Sequence, residues 1–130
     1  MRMALTVWGN HLSPLCDASR LLLLVDLEEG RLADKRYAFF DYPSPFSRAK
    51  RLFELGIEVL ICGAISEFLA SMIEAYGIRM VSFVTGEVEQ VLAAYLHDRL
   101  WTDDFCMSGG RARRHTRFRG GGKQKEPWNL

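Results

Sequence analysis

The chain has 130 residues, of which 48% are hydrophobic and 12% aromatic, so it can bury a core and is too apolar for a disordered protein. The net charge of +1 hides an asymmetry, because residues 111–130 carry seven Arg or Lys and one acid, whereas residues 1–110 carry ten basic and fifteen acidic residues. No apolar run approaches the roughly 20 residues of a membrane helix. The N-terminus has no signal-peptide layout, which predicts a cytoplasmic protein without membrane attachment.

The first half of the chain predicts three strands. Residues 3–8 form a first strand, residues 20–26 a second with a uniformly apolar centre, and residues 31–40 a third whose charges suit a sheet edge. A Gly-containing turn at residues 27–30 indicates a hairpin between the second and third strands. Residues 9–19 make a polar loop, and loops of this length are often functional.

The second half alternates helix and strand. Helices are predicted at residues 46–55 and 66–76 and from residue 85 or 86 onward, and strands at residues 57–62 and 78–83. With Ala49, Leu52 and Phe53 directed inward from the first helix, this order predicts a three-layer α/β/α fold. Two antiparallel strands then lead into right-handed crossovers of one five-stranded sheet.

The turn after the fourth strand marks a place for a ligand. Gly63 allows a sharp turn at the strand's carboxyl end, and Ser66 is suited to cap the next helix. Ligands of open α/β sheets bind at the carboxyl ends of strands, and the free N–H groups of a helix start favour an anion.

Several short motifs occur in a characteristic order. They are Gly-x-x-x-Ser-Pro at residues 9–14, Val-Asp-x-Glu-x-Gly at 25–30, Leu-x-x-Leu-Gly-Ile-x-Val-Leu-Ile-Cys-Gly-x-Ile at 52–65, Gly-Ile at 77–78 and Thr-Gly-x-Val-x-x-Val-Leu at 85–92. Together they resemble the dinitrogenase iron–molybdenum cofactor biosynthesis family, the nitrogenase accessory factor domain, over about residues 3–100. The resemblance implies a ribonuclease H-like fold with sheet order 3-2-1-4-5 and strand 2 antiparallel. It also implies binding or carriage of an iron–sulfur or iron–molybdenum type cluster.

The sequence departs from that family at two places. Many members carry a His after Ser-Pro, where this chain has Leu15 followed by Cys16. Members often carry Gly-Ile-Gly after the central Cys-Gly, where this chain has Ala64, Ile65 and Ser66. These differences imply altered ligation if a cluster binds.

The candidate cofactor-binding residues come from the predicted loop, the predicted turn and a segment beyond the last helix: His11, Ser13, Cys16, Gly63, Ala64, Ser66 and Cys106. Cys16 and Cys106 are the candidate metal ligands, since thiolates suit such clusters. Each has a plainer interpretation: Cys16 as a small buried hydrophobe, His11 as an exposed loop residue and Cys106 as an incidental cysteine. Cys62 is expected in the core.

A change of composition divides the chain into a domain of residues 1–107 and a basic, Gly/Arg-rich tail of residues 108–130, expected to be flexible. The arginines of this tail have three interpretations: a clamp on an anionic cofactor or acidic protein, contacts to nucleic-acid phosphates, or a solubilising segment. They are Arg111, Arg113, Arg114, Arg117 and Arg119.

No catalytic motif is present, so the chain is not expected to be an enzyme, and a small hydrolase or transferase is the least favoured function. The leading hypothesis is a non-catalytic binding or carrier protein for a metal cluster, with a cluster donor or acceptor protein as partner. The alternative is an interaction module whose basic tail binds nucleic acid or an acidic protein. A monomer or weak homodimer is expected.

Overall fold

The computed structural model describes residues 1–97, 105, 107 and 113–115, the last three as backbone. Within them it contains strands, helices and one short 3-10 helix at Cys16–Ala18. In chain order the elements are β1 (Arg2–Trp8), β2 (His11–Leu12), β3 (Leu21–Glu28), β4 (Arg31–Phe39), α1 (Pro45–Glu54), β5 (Val59–Ile61), α2 (Glu67–Ala75), β6 (Arg79–Ser82), α3 (Val88–Leu96) and β7 (Arg113–His115).

The strands form one mixed sheet in the order β4-β3-β1-β5-β6-β7, with β2 paired to β1. β1, β5 and β6 are parallel to one another, whereas β3, β4, β2 and β7 each pair antiparallel. At β1 the pairing changes from antiparallel to parallel, with Leu5 opposite Leu23 on one side and Ile61 on the other, and at β6 it changes back. The predicted α/β class is confirmed.

Helices cover both faces of the sheet. Ala49 and Leu52 of α1 and Leu69 and Ile73 of α2 share one buried cluster, which also contains Leu60 of β5. The other buried cluster joins α3 to alternate residues of the same strands. The apolar run of the central strands follows from this arrangement, because side chains on both faces are covered.

The β3–β4 hairpin turns at Glu29 and Gly30, whose φ angles are 55° and 77°. Two successive positive φ values define a type I′ turn, whose twist matches that of the strands it joins. Every residue of β4 is exposed except Ala38, which is half-buried. β4 is thus the open edge strand that its charges predict.

α1 differs in part from its prediction. The side chain of Ser44 caps the helix by accepting a hydrogen bond from the Ser47 N–H, and Pro45 occupies the first helical position. Ala49 and Leu52 are buried as predicted, but Phe53 is 56% exposed and stacks on Tyr76 with ring centroids 4.8 Å apart.

Two strands were not predicted. β2 lies inside the predicted loop, and β7 lies inside the tail that was expected to be flexible. β7 pairs antiparallel with β6, with Arg114 opposite Val81; the other residues of the tail lie outside the described residues. In the described part of the chain, no helix is long and apolar enough to cross a membrane.

Candidate functional site

A pocket of about 470 Å³ opens at the carboxyl end of β1. Its walls come from the end of β1, the start of β3 and the segment between them, residues 9–20, called the β1–β3 loop below. The lining residues are Val7, Trp8, Gly9, Ser13, Pro14, Leu15, Ala18, Ser19, Arg20 and Leu21. Most are apolar, and Trp8, 73% exposed, offers a large aromatic surface. Such a pocket beside the strand where pairing changes is a typical ligand site of α/β folds.

The second half of the β1–β3 loop lies on the turn after β5. Leu15 and Ala64 form a parallel bridge. The Cys16 N–H donates to the Ala64 carbonyl at 2.8 Å, and the Ala64 N–H donates to the Pro14 carbonyl at 2.9 Å. A methyl group on Gly63 would come within 2.5 Å of the Ser13 carbonyl oxygen and 2.7 Å of the Pro14 carbonyl oxygen. Glycine is needed here because two backbones approach closely, and not because of its φ angle.

Arg48 of α1 anchors the β1–β3 loop through hydrogen bonds to its backbone carbonyl groups. Its Nη1 donates to the carbonyl oxygens of Ser19 at 2.7 Å, Phe40 at 2.9 Å and Cys16 at 3.4 Å. The guanidinium carbon lies 5.0 Å from the centroid of the Phe40 ring, and Nη2 is 3.7 Å from a carboxylate oxygen of Asp41. Arg48 is buried, so these contacts replace the water that the charged group has lost.

The carboxylate of Asp17, a residue of the β1–β3 loop, lies at the N-terminus of α2. One of its carboxylate oxygens accepts a hydrogen bond from the Ser66 N–H at 2.9 Å, and the other accepts one from the Ser66 hydroxyl at 2.6 Å. The Ser66 hydroxyl in turn accepts from the Leu69 N–H at 3.2 Å, which is the predicted cap. The anionic group at this helix start is therefore a carboxylate of the chain itself.

Cys16 and Cys62 meet beneath the loop. Both are fully buried, both belong to the apolar cluster between the sheet and the α1–α2 layer, and neither is in a disulfide. The hydrogen-bond contact with the Cys16 thiol, and then burial, raise the pKa of Cys62 well above its usual value. Cys62 lies in the core, as the sequence predicts, and Cys16 lies in the core beside it.

The first half of the β1–β3 loop leans toward α3. His11 is exposed, pairs with Trp8 in the β1–β2 hairpin and has its Nδ1 2.9 Å from the Asn10 side-chain oxygen. The Asn10 carbonyl accepts a hydrogen bond from the Val88 N–H at 2.8 Å, at the start of α3. His11 thus lies in the same loop as the pocket but does not line it.

A second turn lies beside the first, at the end of β6. Phe83 has a φ of 63°, rare for a bulky residue, and its N–H donates to the Gly63 carbonyl at 2.8 Å. Its carbonyl accepts from the Met107 N–H at 3.1 Å, and the Phe105 carbonyl accepts from the Thr85 N–H at 3.0 Å. The neighbours of Cys106 in sequence are thus held at the end of β6, while Cys106 itself lies outside the described residues.

Charge at the pocket comes from Arg20, whose side chain is exposed and forms an ion pair with Asp41 at 3.2 Å. Within the described ranges no group of three or more His, Cys, Asp and Glu side chains is placed to hold a metal ion. The described pocket therefore offers an apolar surface, one guanidinium and backbone groups to a ligand.

The structure brings together most of the predicted site. Ser13, Cys16, Gly63, Ala64 and Ser66 form one connected group, of which Ser13 lines the pocket. His11 lies apart from this group. Of the tail arginines, Arg113 and Arg114 lie in β7; Arg111, Arg117 and Arg119 are outside the described part of the chain.

Sequence reasoning missed three contributors to the site: Arg48, Asp17 and Trp8. Arg48 shares a helix face with Leu52, four residues on, and that spacing was the available signal that a charged residue points inward. Asp17 and Trp8 carry no comparable signal, because their roles depend on the loop folding onto the turn after β5.

The chain is similar in structure to several solved proteins. It matches PH0822 with a TM-score of 0.73 and 19% identity, over 79% of this chain and 95% of that one. It matches a candidate dinitrogenase from Methanocaldococcus jannaschii with a TM-score of 0.65 and 17% identity, over 77% and 91%. It matches the apo form of the orange protein from Desulfovibrio gigas with a TM-score of 0.64 and 20% identity, over 86% and 96%.

No protein-family model matches the chain, and no curated protein matches its sequence. The structural neighbours confirm the resemblance at the level of the fold, since they include a candidate dinitrogenase and the orange protein.

Proposed function

We propose that the chain is a non-catalytic cytoplasmic protein that binds and carries an iron–sulfur or iron–molybdenum type cluster as cargo. The observation that carries the proposal is the pocket at the carboxyl end of β1, which the β1–β3 loop lines. Support comes from the likeness to the orange protein, whose apo form implies a group that it binds. We also propose that the sheet and helices have the ribonuclease H-like fold, which the resemblance to the same family implies.

The described residues fit cargo that is held without covalent ligation. Cys16 is fully buried in the cluster that contains Cys62 and does not line the pocket, and the described residues that line the pocket include no thiol or imidazole. Contact with Trp8 and Leu15 and the charge of Arg20 supply binding that an intact anionic cluster can use. Ligation by Cys16 and Cys106, predicted from the sequence, would need the loop to lift before Cys16 reaches the pocket.

The test is anaerobic reconstitution with iron, sulfide and molybdate, followed by measurement of visible absorbance and of metal bound per chain. Trp8→Ala should lower the bound metal, because it removes the largest wall of the pocket. Tyr37→Ala, which removes an exposed aromatic residue of β4, is the matched control and should load as wild type does.

A parallel series separates the two modes of binding. If Cys16→Ala, Cys106→Ala and the double variant load like wild type while Trp8→Ala does not, the cluster is held by the pocket without thiolate ligands. If the double variant alone loses all metal, thiolate ligation is correct. A wild-type chain that takes up no metal above background would end the proposal.

The partner in this role is a protein that donates or accepts the cluster, with the chain acting as a monomer or weak homodimer. The alternative, an interaction module, is favoured by one observation: β7 places Arg113 and Arg114 in backbone pairing with Ser82 and Val81 at the sheet edge. If the tail binds nucleic acid through its five arginines, the log–log slope of affinity against salt should be roughly −3.5 to −4.5. A salt-independent or absent affinity would remove this alternative.

A further inference from the structure

The two buried thiols are held very differently by the backbone. Cys62 directly follows β5, where its N–H donates to the Val81 carbonyl at 2.9 Å and its carbonyl accepts from the Val84 N–H at 3.1 Å. Cys16 begins the short 3-10 helix of the β1–β3 loop, and its N–H donates to the Ala64 carbonyl at 2.8 Å. One thiol is therefore fixed in the sheet, and the other is carried by a loop that rests on it.

Cys16 and Cys62 are both fully buried in one apolar cluster, and the Cys16 thiol lies close enough to raise the pKa of the Cys62 thiol. In the described part of the chain no third metal-ligating side chain joins them. The two thiols share a cluster although their segments are remote in sequence, and the Cys16 N–H bond to Ala64 ties the loop to the turn that follows Cys62, so the pair is placed for a disulfide once the loop adjusts.

We propose that Cys16 and Cys62 form a reversible disulfide that fastens the β1–β3 loop to the end of β5. The co-reactant is a low-molecular-weight disulfide such as oxidised glutathione. The Cys16 thiolate attacks one sulfur of that disulfide, forms a mixed disulfide and releases one thiolate. The Cys62 thiolate then attacks the Cys16 sulfur of the mixed disulfide and releases the second. The protein loses two protons and two electrons, and the small disulfide is reduced to two thiols.

Access to Cys16 comes from lifting the loop. The segment from Ser13 to Asp17 is held by hydrogen bonds to Thr6, Ala64 and Ser66 and by Arg48. Local opening of such a segment is less costly than global unfolding. The disulfide then stops this opening, because it joins the loop covalently to a residue fixed in the sheet.

The consequence for cargo rests on the proposed function. Once Cys16 is in the disulfide, it can neither ligate a cluster nor leave the core, so loading that needs an open loop stops. The disulfide itself does not depend on cargo, and the two ideas can fail separately.

The experiment uses the full chain with Cys106→Ser, so that Cys16 and Cys62 are the remaining thiols. The reduced protein is incubated with oxidised glutathione, quenched in acid, unfolded, alkylated and weighed by mass spectrometry. We expect a product lighter by two hydrogens, with no glutathione attached and no site alkylated, that returns to two alkylated thiols after dithiothreitol. Peptide mapping should join the peptides containing Cys16 and Cys62. In the matched control, Cys106→Ser with Cys62→Ser, one glutathione should remain on Cys16.

A second measurement does not depend on whether the oxidant can reach the buried thiols in the folded protein. The same variant is refolded from urea in a glutathione redox buffer, where the thiols meet the oxidant before the core forms. A folded product with both thiols reduced, or with glutathione retained on Cys16, would overturn the proposal. Metal uptake by the oxidised and reduced forms is measured afterwards: equal uptake would refute the gating role and leave the disulfide established, and no uptake by either would refute the cluster proposal alone.

Discussion

The β3–β4 hairpin and the β1–β3 loop both join strands on the antiparallel side of β1, but they are held in place in opposite ways. The hairpin is organised by neighbours in sequence, with Glu28 opposite Arg31 across a two-residue turn. The loop is organised by residues far along the chain, namely Arg48, Ala64 and Ser66. A few neighbouring residues are enough to specify the turn, whereas the shape of the β1–β3 loop depends on contacts with α1 and with the turn after β5.

The largest expected effect comes from removing the anchor of the loop. Arg48→Met removes the donor of the buried Ser19 carbonyl, one of two donors to the Cys16 and Phe40 carbonyls, and the contact with the Phe40 ring. The free energy of unfolding should therefore fall by about 3 kcal/mol. Urea denaturation measures it. Lys50→Met, an exposed position on the same helix, is the control and should change the free energy of unfolding by less than about 0.5 kcal/mol. Equal losses in both variants would contradict the anchoring role.

A smaller effect is expected at the contact between the loop and the turn after β5. In Gly63→Ala the new methyl group meets backbone oxygens of Ser13 and Pro14, so the loop must shift, and the free energy of unfolding should fall by about 2 kcal/mol. Cys16 should then be alkylated faster in the folded state.

The control for this variant is Gly77→Ala. Gly77 has a φ of 82° and open space around it, so alanine there costs about 1 kcal/mol in backbone strain alone. It should leave the alkylation rate of Cys16 unchanged, and a comparable increase in that rate would show that the close contact at Gly63 is not what closes the loop.

The hairpin should respond to a purely local change. Glu29 holds a left-handed φ that asparagine adopts more readily, so Glu29→Asn should raise the free energy of unfolding by about 0.5 kcal/mol. The thermal midpoint reports the gain. Glu28→Asn, one residue earlier in β3, should give no gain, and metal loading should be unaffected by either substitution.

The smallest effect concerns the ion pair beside the hairpin. The hydrogen bond from Arg2, opposed by partial burial and assisted by Arg36, lowers the pKa of Asp26 below its model-peptide value of 3.8. The stability it contributes is complete above that value and is lost as the pH falls through the lower folded pKa. Asp26→Asn should therefore flatten the acid side of the stability curve. Asp34→Asn, whose carboxylate pairs with Arg36 alone, is the control.

The contrast between hairpin and loop also explains what could be predicted from the sequence. The parallel strands, the helices and the hairpin follow from local periodicity and from turn residues such as Gly30 and Ser66, and the structure has them within a few residues of the predicted bounds. β2 was missed because two residues are too few to show a pattern, and β7 because its pairing with β6 carries no local signal.

The sequence predicts that the two segments of the candidate site lie near each other, but it does not predict how their side chains are arranged. The turn at Gly63 and the loop after β1 do meet, as the rule for strand ends requires. The burial of Cys16 depends on the apolar cluster that it shares with Cys62, and the burial of Arg48 depends on three carbonyl groups from two other segments. Neither dependence is visible without the folded chain.

The two edges of the sheet are protected from pairing with another copy of the chain in different ways. β4 exposes Asp34, Lys35 and Arg36, charges that discourage another strand from adding to it. The residues of β6 that pair with β7, Met80 to Ser82, are uncharged, and that border is covered by the chain's own later segment. A chain shortened before residue 113 would present an uncharged border to its copies, so a segment far from the pocket sets how concentrated the protein can become before it aggregates.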